Sequence, residues 1–397
     1  MMPTQPNPIP GSGTLELTVV MPCLNEVATV GRCVGKAVRA MQGHAIVGEV
    51  VVADNGSSDG SQAASEAAGG RVVPVSARGY GSALAGGIAA ARGRFVLMGD
   101  ADDSYDFTEL ARFLAPLRAG ADLVQGCRLS SGGGTIRPGA MPFLHRVWGN
   151  PMFSWLARRW FRVPIHDIYC GMRAFRADLP RELDLRCTGM EYATEMIIKG
   201  TLTGARISEV PITLWPDGRG DQRPHLRTFR DGWRTLRFFL ALSPRWLFLM
   251  PGILIMLLGV VAAAVALPGL RVGRVHFDVH TLLVGGLMIV CGYQAVVFAF
   301  LTKIFAITEG LLPSDPRMNR LYEIFNLERG IVAGAASTIV GTALIAVAVG
   351  RWIARDLGSL DYAQTMRWVI PGTILVTLGV QTVLSSFFFS ILGLRRR

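Results

Sequence analysis

Four long apolar runs crowd the last part of the chain, at about 246–268, 280–302, 331–350 and 369–393. Each is long enough to cross a hydrocarbon layer of about 30 Å as a helix, which takes roughly 20 residues. Before residue 240 the pattern is different: apolar and charged residues mix as they do in a soluble α/β domain. Half of the 397 residues are hydrophobic, and their uneven placement divides the chain into two kinds of structure. The expected boundaries are 1–14 for a disordered Pro-rich tail, 15–222 for the α/β domain, 223–245 for an amphipathic interfacial helix region and 246–397 for four transmembrane helices.

The net charge of +11 is not spread evenly either. Arg227, Arg230, Arg234 and Arg237 recur at three- and four-residue spacing just ahead of the first run, while Leu226, Phe229, Trp233, Leu236 and Phe239 or Leu240 fall on another side. Such a basic amphipathic helix is suited to lie in a lipid interface, the alternative being an ordinary surface helix packed on the domain. The loop after the second run carries Lys303, Arg317, Arg320 and Arg329, and the chain ends in three arginines. The opposite loops carry Arg271, Arg274, Arg351, Arg355 and Arg367. Counting the arginine-rich segment before the first run, the positive-inside rule places the soluble domain in the cytoplasm of a multi-pass inner- or plasma-membrane protein. The first residues lack a signal-peptide pattern, which agrees. The six cysteines form no CxxC or zinc spacing and read as reduced thiols. No aromatic-plus-basic nucleic-acid signature is present.

Within the soluble part, strands at Leu15–Met21, Val47–Asp54, Arg71–Val75, Arg94–Gly99 and Asp122–Cys127 alternate with helices at Glu26–Met41, after Gly60, at Gly81–Arg92 and at Phe107–Arg118. This rhythm predicts a mostly parallel sheet covered on both faces. Ser130–Ala140, rich in Gly, is expected as a flexible loop, Met141–Phe161 as helical, Glu191–Thr203 as a helix and Ile207–Leu214 as a last strand. In such sheets ligands bind beyond the carboxyl ends of strands, and the polar clusters fall there.

The strongest cluster is Asp100-Ala101-Asp102-Asp103, directly after an apolar strand. Carboxylates packed this closely disfavour full ionisation, and a hard divalent cation such as Mg²⁺ or Mn²⁺ relieves that. The plainer alternative is a solvated acidic turn that starts the following helix. Asp54-Asn55-Gly56-Ser57-Ser58-Asp59-Gly60 ends another strand, with ordinary turn chemistry as the alternative. Pro22-Cys23-Leu24-Asn25-Glu26 ends a third, with Asn25 placed to cap the next helix.

In order, Pro22…Asn25-Glu26, Asp54…Asp59-Gly60, Arg78-Gly79-Tyr80-Gly81, and Arg92-Gly93-Arg94 leading into Asp100-Ala101-Asp102 resemble the family 2 glycosyltransferases with the GT-A fold, over roughly 15–240. Gly126-Cys127-Arg128 and Asp167…Cys170-Gly171-Met172-Arg173 are similar to the polyprenyl-phosphate branch, the dolichyl-phosphate mannose and glucose synthases. The resemblance implies a Rossmann-like GT-A domain followed by an all-α membrane domain. It implies that Pro22, Asn25, Glu26, Asp54, Asp59, Arg78, Gly79, Asp100 and Ala101 line the nucleotide-sugar pocket. Glu26 and Asp54 would meet the nucleoside, Asp100 the ribose or base, and Asp102 the metal, with Asp100 and Asp103 as further metal ligands. Arg128 would bind phosphate beside Asp167, with Asp102 at the reacting centre. Arg137, Arg227 and Arg230 are further candidates for a lipid phosphate, since arginine suits that group by bidentate contact. Glu191 and Glu195, one helical turn apart, are candidates for sugar or acceptor contacts, their alternative being a solvated or ion-paired face. Arg173 is a candidate for the same role, its alternative a structural salt bridge. Where the polyprenyl-phosphate branch often has Gln after its second Asp, this chain has Ser104 preceded by Asp103, which puts the metal ligand set in question.

These parts suggest inverting transfer of a hexose from a nucleotide sugar to undecaprenyl or dolichyl phosphate, with UDP-glucose or GDP-mannose as donor by resemblance. A lipid phosphate is already an anionic nucleophile, so alignment and leaving-group stabilisation are the main tasks. The product would be a lipid-linked sugar donor for envelope glycan or glycoprotein synthesis. The spans suggest assembly into a homo-oligomer, since related enzymes can oligomerise through theirs. A processive polysaccharide synthase fits less well: Arg159-Trp160 and Arg245-Trp246 lack the preceding Gln of its acceptor motif. A lipid-linked sugar flippase with a non-catalytic head is disfavoured by spans with few ionisable residues.

Overall fold

The structure, a computed structural model, describes residues 15–219, 228–313 and 327–394. The expected tail at 1–14, Arg227, Arg317, Arg320 and the three terminal arginines lie outside the described residues, as does the side chain of Arg230. The chain forms two compact units, Met1–Phe239 and Leu240–Arg397.

In the first unit β1 (Leu17–Cys23), α1 (Val30–Gly43), β2 (Gly48–Asp54), α2 (Ser61–Ala67), β3 (Arg71–Pro74), α3 (Tyr80–Ala89), β4 (Phe95–Met98), α4 (Leu110–Arg118) and β5 (Leu123–Cys127) follow the anticipated alternation. Then come β6 (Thr135–Ile136), α5 (Asn150–Phe161), β7 (Arg173–Arg176), α6 (Leu179–Glu182), α7 (Glu191–Thr203), β8 (Ile207–Pro211), β9 (Thr213–Leu214) and α8 (Thr228–Leu242). The main sheet runs β3-β2-β1-β4-β7-β5-β8. All its neighbours pair in parallel except β7, which is antiparallel to both β4 and β5. Val19, Val51, Leu97 and Val124 are buried to 2% exposure or less, because helices cover both faces and a two-sided apolar strand has nowhere else to put its side chains.

Two consequences position the site. β2, β1 and β4 are consecutive in the sheet, so their carboxyl ends bring Asp54, Asn25 and Asp100 to one edge. The antiparallel β7 begins where β4 ends, with Met98 opposite Arg173. The loop leading into β7, which carries Asp167, therefore opens onto that same edge.

Several local expectations change. The first helix starts at Val30 rather than Glu26, because Glu26–Thr29 closes a turn in which the Thr29 and Val30 amides donate to the Glu26 carbonyl. The helix expected from Phe107 opens with a 3₁₀ turn capped by Asp106, which accepts from the Thr108 amide at 3.1 Å. The stretch expected to be helical from Met141 holds a π-helical turn at His145–Gly149 before α5. The Gly-rich stretch is no free loop: Ser130–Gly132 is a 3₁₀ turn and β6 pairs in parallel with β9. Its glycines permit close packing, since a Cβ on Gly134 would sit 2.5 Å from the Arg128 carbonyl carbon. In α8, Phe239 is fully buried against Phe153, Phe161 and Trp160 at centroid distances of 5.9, 5.6 and 6.4 Å. The amphipathic helix thus seats its Phe239 end on α5, while Trp233 stays exposed.

Among its described residues the second unit contains four helices long and apolar enough to span a membrane. A π-helical turn at Arg245–Leu249 leads into α9 (Met250–Ala266). A short hairpin of β10 (Arg271–Val272) and β11 (Val275–His276) precedes α10 (Val279–Thr308). α11 (Leu327–Ile353) and α12 (Tyr362–Leu394) follow. Both helical hairpins use one packing device. Gly259 meets Gly285 and Gly252 meets Gly292 between α9 and α10; Gly341 meets Gly372 and Gly334 meets Gly379 between α11 and α12. A Cβ on Gly259 would lie 2.6 Å from the Gly285 carbonyl oxygen, and one on Gly341 2.5 Å from that of Gly372. In lipid, where apolar burial gives little drive, such backbone contact is what holds helices together. Gly259→Leu and Gly341→Leu are each expected to destabilise the detergent-solubilised protein by on the order of 1–3 kcal/mol. Gly350→Leu, where a Cβ meets nothing within 4 Å, should leave the thermal midpoint unchanged.

Candidate active site

The turns leaving β1 and β2 are laced together. The Asn25 amide donates to Ser57 Oγ at 2.9 Å, and Asn25 Oδ1 accepts from the Ser58 amide at 2.9 Å. Asn25 is thus a cross-turn brace and not a helix cap; its φ of +57° suits a residue that tolerates the left-handed region. The Glu26 amide donates to Ser61 Oγ at 2.8 Å, and the Val27 amide to Asp59 at 3.0 Å. The Asp54 carboxylate accepts from the amides of Gly56 and Ser57 and from Gln62 Nε2 at 2.7 Å. Asn55 ties this corner to the next element: its amide donates to the carbonyls of Val75 and Ala77, and its Oδ1 accepts from the Gly79 amide at 2.9 Å. Gly79, at φ +126°, is pressed against the Thr188 carbonyl, where a side chain has no room. Arg78 beside it is exposed, while Pro22 lies within β1.

Past β4 the acidic residues separate. Asp100 accepts from Tyr80 Oη at 2.8 Å. Burial, and then the neighbouring Asp102 charge, push its carboxyl up to about 6, against the pull of the Tyr80 hydroxyl and of Arg219 and Arg128. Ala101 is buried. Asp102 Oδ1 accepts from the Ser104 hydroxyl at 2.6 Å and amide at 3.1 Å, so Ser104 shapes the turn. Asp103, at φ +65°, faces α1 instead, pairing with Lys36 at 2.9 Å and Arg32 at 3.5 Å. It does not join Asp100 and Asp102. Among the described residues no three His, Cys, Asp or Glu side chains gather into a metal-holding group.

Arg219 was not anticipated. Its Nε donates to both Glu26 oxygens, at 2.8 and 2.9 Å, and its Nη2 lies 3.5 Å from Asp102. It bridges the β1 turn and the β4 turn from a position 193 residues after Glu26. The only local signal was Pro216-Asp217-Gly218-Arg219, a turn after the last strand; the Gly218 amide donates to the Asp102 carbonyl at 2.8 Å and delivers the arginine there.

Arg128 and Asp167 form a buried bidentate pair. Arg128 Nε and Nη2 donate to the two carboxylate oxygens at 2.8 and 3.0 Å, and the Arg128 amide adds a third bond at 3.0 Å. Asp167 is wholly buried. Arg128 also borders a cavity of about 630 Å³ lined by Arg146, Arg158 and His166 among others. An apolar groove of about 360 Å³, formed by Val147, Trp148, Pro151, Met152 and Trp155, shares Val147 and Pro151 with it.

The remaining candidates are placed elsewhere. Glu195 is buried, pairs with Lys199 at 2.9 Å and accepts from the amides of Arg186 and Cys187, so it holds a loop and presents no free face to a sugar. Arg173, a candidate for sugar or acceptor contact with a structural salt bridge as the alternative, is fully buried and donates to the carbonyls of Cys170 and Ala193; burial lowers its pKa. Arg137 lies over the Trp215 ring at 4.8 Å. Glu191 is half-exposed at the start of α7.

Residues 18–183 match glycosyl transferase family 2, and residues 300–393 match the glycosyltransferase family 2 C-terminal transmembrane region. The chain is 36% identical to the low-salt glycan biosynthesis hexosyltransferase Agl6 of Haloferax volcanii, over 95% of this chain and 89% of that protein. It belongs to glycosyltransferase family 2. A dolichyl-phosphate hexose transferase of the same organism is 34% identical over 50% of this chain and 82% of its own length. A polyprenol monophosphomannose synthase of Mycolicibacterium smegmatis is 32% identical over 51% and 78%. The chain is therefore a membrane-embedded glycosyltransferase, and its mostly parallel sheet is the GT-A sheet expected of the family.

Two outcomes follow for this glycosyltransferase. A carboxyl whose folded pKa is raised favours the folded state below its unfolded pKa and loses that advantage as pH rises through the folded value. Asp100→Asn should therefore match the parent near pH 4 and be the more stable protein by at least about 1 kcal/mol above pH 7, read from urea unfolding of the detergent-solubilised protein without ligands. Asp167→Asn leaves Arg128 buried without its counter-charge and should cost about 3–5 kcal/mol in the same measurement.

Proposed function

We propose that this glycosyltransferase moves a hexose, with inversion, from a nucleotide sugar to a polyprenyl phosphate at the cytoplasmic face of its membrane. The observation that carries the acceptor is the basic cavity at Arg128 joined to the apolar groove at Trp148 and Trp155. A phosphate head and an isoprenoid tail need that juxtaposition. The names of the dolichyl-phosphate and polyprenol relatives support the same class. UDP-glucose and GDP-mannose are the leading donors, and undecaprenyl and dolichyl phosphate the leading acceptors. The product is a lipid-linked monosaccharide for glycan synthesis. Self-association through the membrane helices belongs to the same proposal.

Glu26 and Asp54, braced by Asn25 and Asp59, take the nucleoside side, with Arg78 and Gly79 on the adjoining turn. Asp100 and Asp102 suit a divalent cation, Mg²⁺ or Mn²⁺: burial and the Asp102 charge push the Asp100 carboxyl up to about 6, and a cation would relieve that penalty. Held there, the ion would supply positive charge to neutralise the departing diphosphate. Arg219 supplies a second positive charge at the same edge. Arg128, oriented by Asp167, holds the acceptor phosphate so that one of its oxygens forms the new bond to the anomeric carbon. The bond from that carbon to the diphosphate breaks on the opposite side, and the proximity of the two substrates supplies much of the rate.

Purified protein given labelled nucleotide sugars and each lipid phosphate should yield a lipid-linked sugar. Transfer should stop with EDTA and return with Mg²⁺ or Mn²⁺. Asp102→Ala should lower kcat by about 100-fold or more. Full transfer by that variant would remove Asp102 from the site, and no transfer by the parent with any donor would overturn the reading.

A further inference from the structure

His166 stands at the mouth of the loop that carries Asp167, and Glu209 of β8 holds it. Glu209 Oε2 lies 2.7 Å from His166 Nδ1, while Oε1 accepts from the His166 amide at 2.8 Å and the Asp167 amide at 3.1 Å. One carboxylate thus fixes both the imidazole and the backbone that presents Asp167 to Arg128. With Nδ1 committed to Glu209, Nε2 is the ring nitrogen left for a ligand in the cavity that His166 lines. With Nδ1–H donated to the carboxylate, Nε2 is an acceptor in the neutral ring and becomes a donor only in the imidazolium.

We infer that His166 is a phosphate-contact residue of the acceptor cavity, donating from Nε2 as the imidazolium, with Glu209 as its positioning residue. The inference rests on the reading that this cavity takes the lipid phosphate. Three arginines line the same cavity, Arg128 at the end of β5, Arg146 in the π-helical turn and Arg158 in α5, and Glu209 in β8 holds the ring. Asp167, next in sequence, is spent on Arg128. An entering phosphate is an anion placed among the Arg146 and Arg158 side chains and the ring. Because only the imidazolium donates from Nε2, acceptor affinity falls as pH rises.

The test is the pH dependence of the acceptor KM in the full-length protein. Between about pH 6 and about pH 8.5 the acceptor KM should rise roughly tenfold more in the parent than in His166→Asn, the range in which histidine ordinarily changes charge. The comparison cancels the titration of the lipid phosphate itself. At the lower pH His166→Asn should have an acceptor KM about tenfold above the parent, with kcat and the nucleotide-sugar KM within about twofold. Glu209→Gln keeps the ring but removes its paired charge, and should flatten the pH profile in the same way. A His166→Asn profile parallel to the parent's, with an unchanged acceptor KM, overturns the inference while leaving the acceptor reading intact. A loss confined to kcat or to thermal stability makes His166 structural and overturns it too. Absence of transfer by the parent to every lipid phosphate overturns the acceptor reading first, and this inference with it.

Discussion

A parallel sheet covered on both faces leaves charged groups one place to go, the ends of its strands. That constraint organises the catalytic unit. β1, β2 and β4 are almost wholly apolar along their length, so their polar residues collect just past their carboxyl ends. Because the three strands are neighbours, three separate turns become one surface. The lacing of Asn25, Ser57, Ser61 and Asp59 then makes the first two turns a single rigid corner.

Charge pairing decides which of these residues remain for chemistry. Asp103, Asp59 and Glu195 have their carboxylates occupied by protein donors. Asp100 is the opposite case: a carboxyl short of positive charge, held up by burial and by Asp102. Arg219 offsets part of that deficit while spanning Glu26 and Asp102. The Arg128–Asp167 pair works by another logic. Its carboxylate is spent on orienting the guanidinium, and the arginines around the cavity keep a net positive field.

The membrane unit shows how a repeated device can be hidden from a reading of the chain. Glycines seven apart on one helix mean little until the partner helix supplies glycines at the matching heights. α9–α10 and α11–α12 each do so. The pairing exists only between helices, so no single run of residues carries it.

Length and hydropathy alone determined that the chain has four apolar spans after an α/β domain. The order of strand-end motifs was enough to indicate the family, because apolar runs and turn residues are local properties. Most strand and helix identities followed for the same reason, β6 and β7 excepted; α7 matches its expected bounds at Glu191–Thr203. What the linear pattern left open depended on contacts between distant residues. The antiparallel insertion of β7, which brings Asp167 to the edge beside Asp100, is a matter of sheet order. The diversion of Asp103 to Lys36 spans 67 residues, and the arrival of Arg219 at Glu26 spans 193. A carboxylate's role is set by the charge that finally lies next to it, and only the folded chain decides which charge that is.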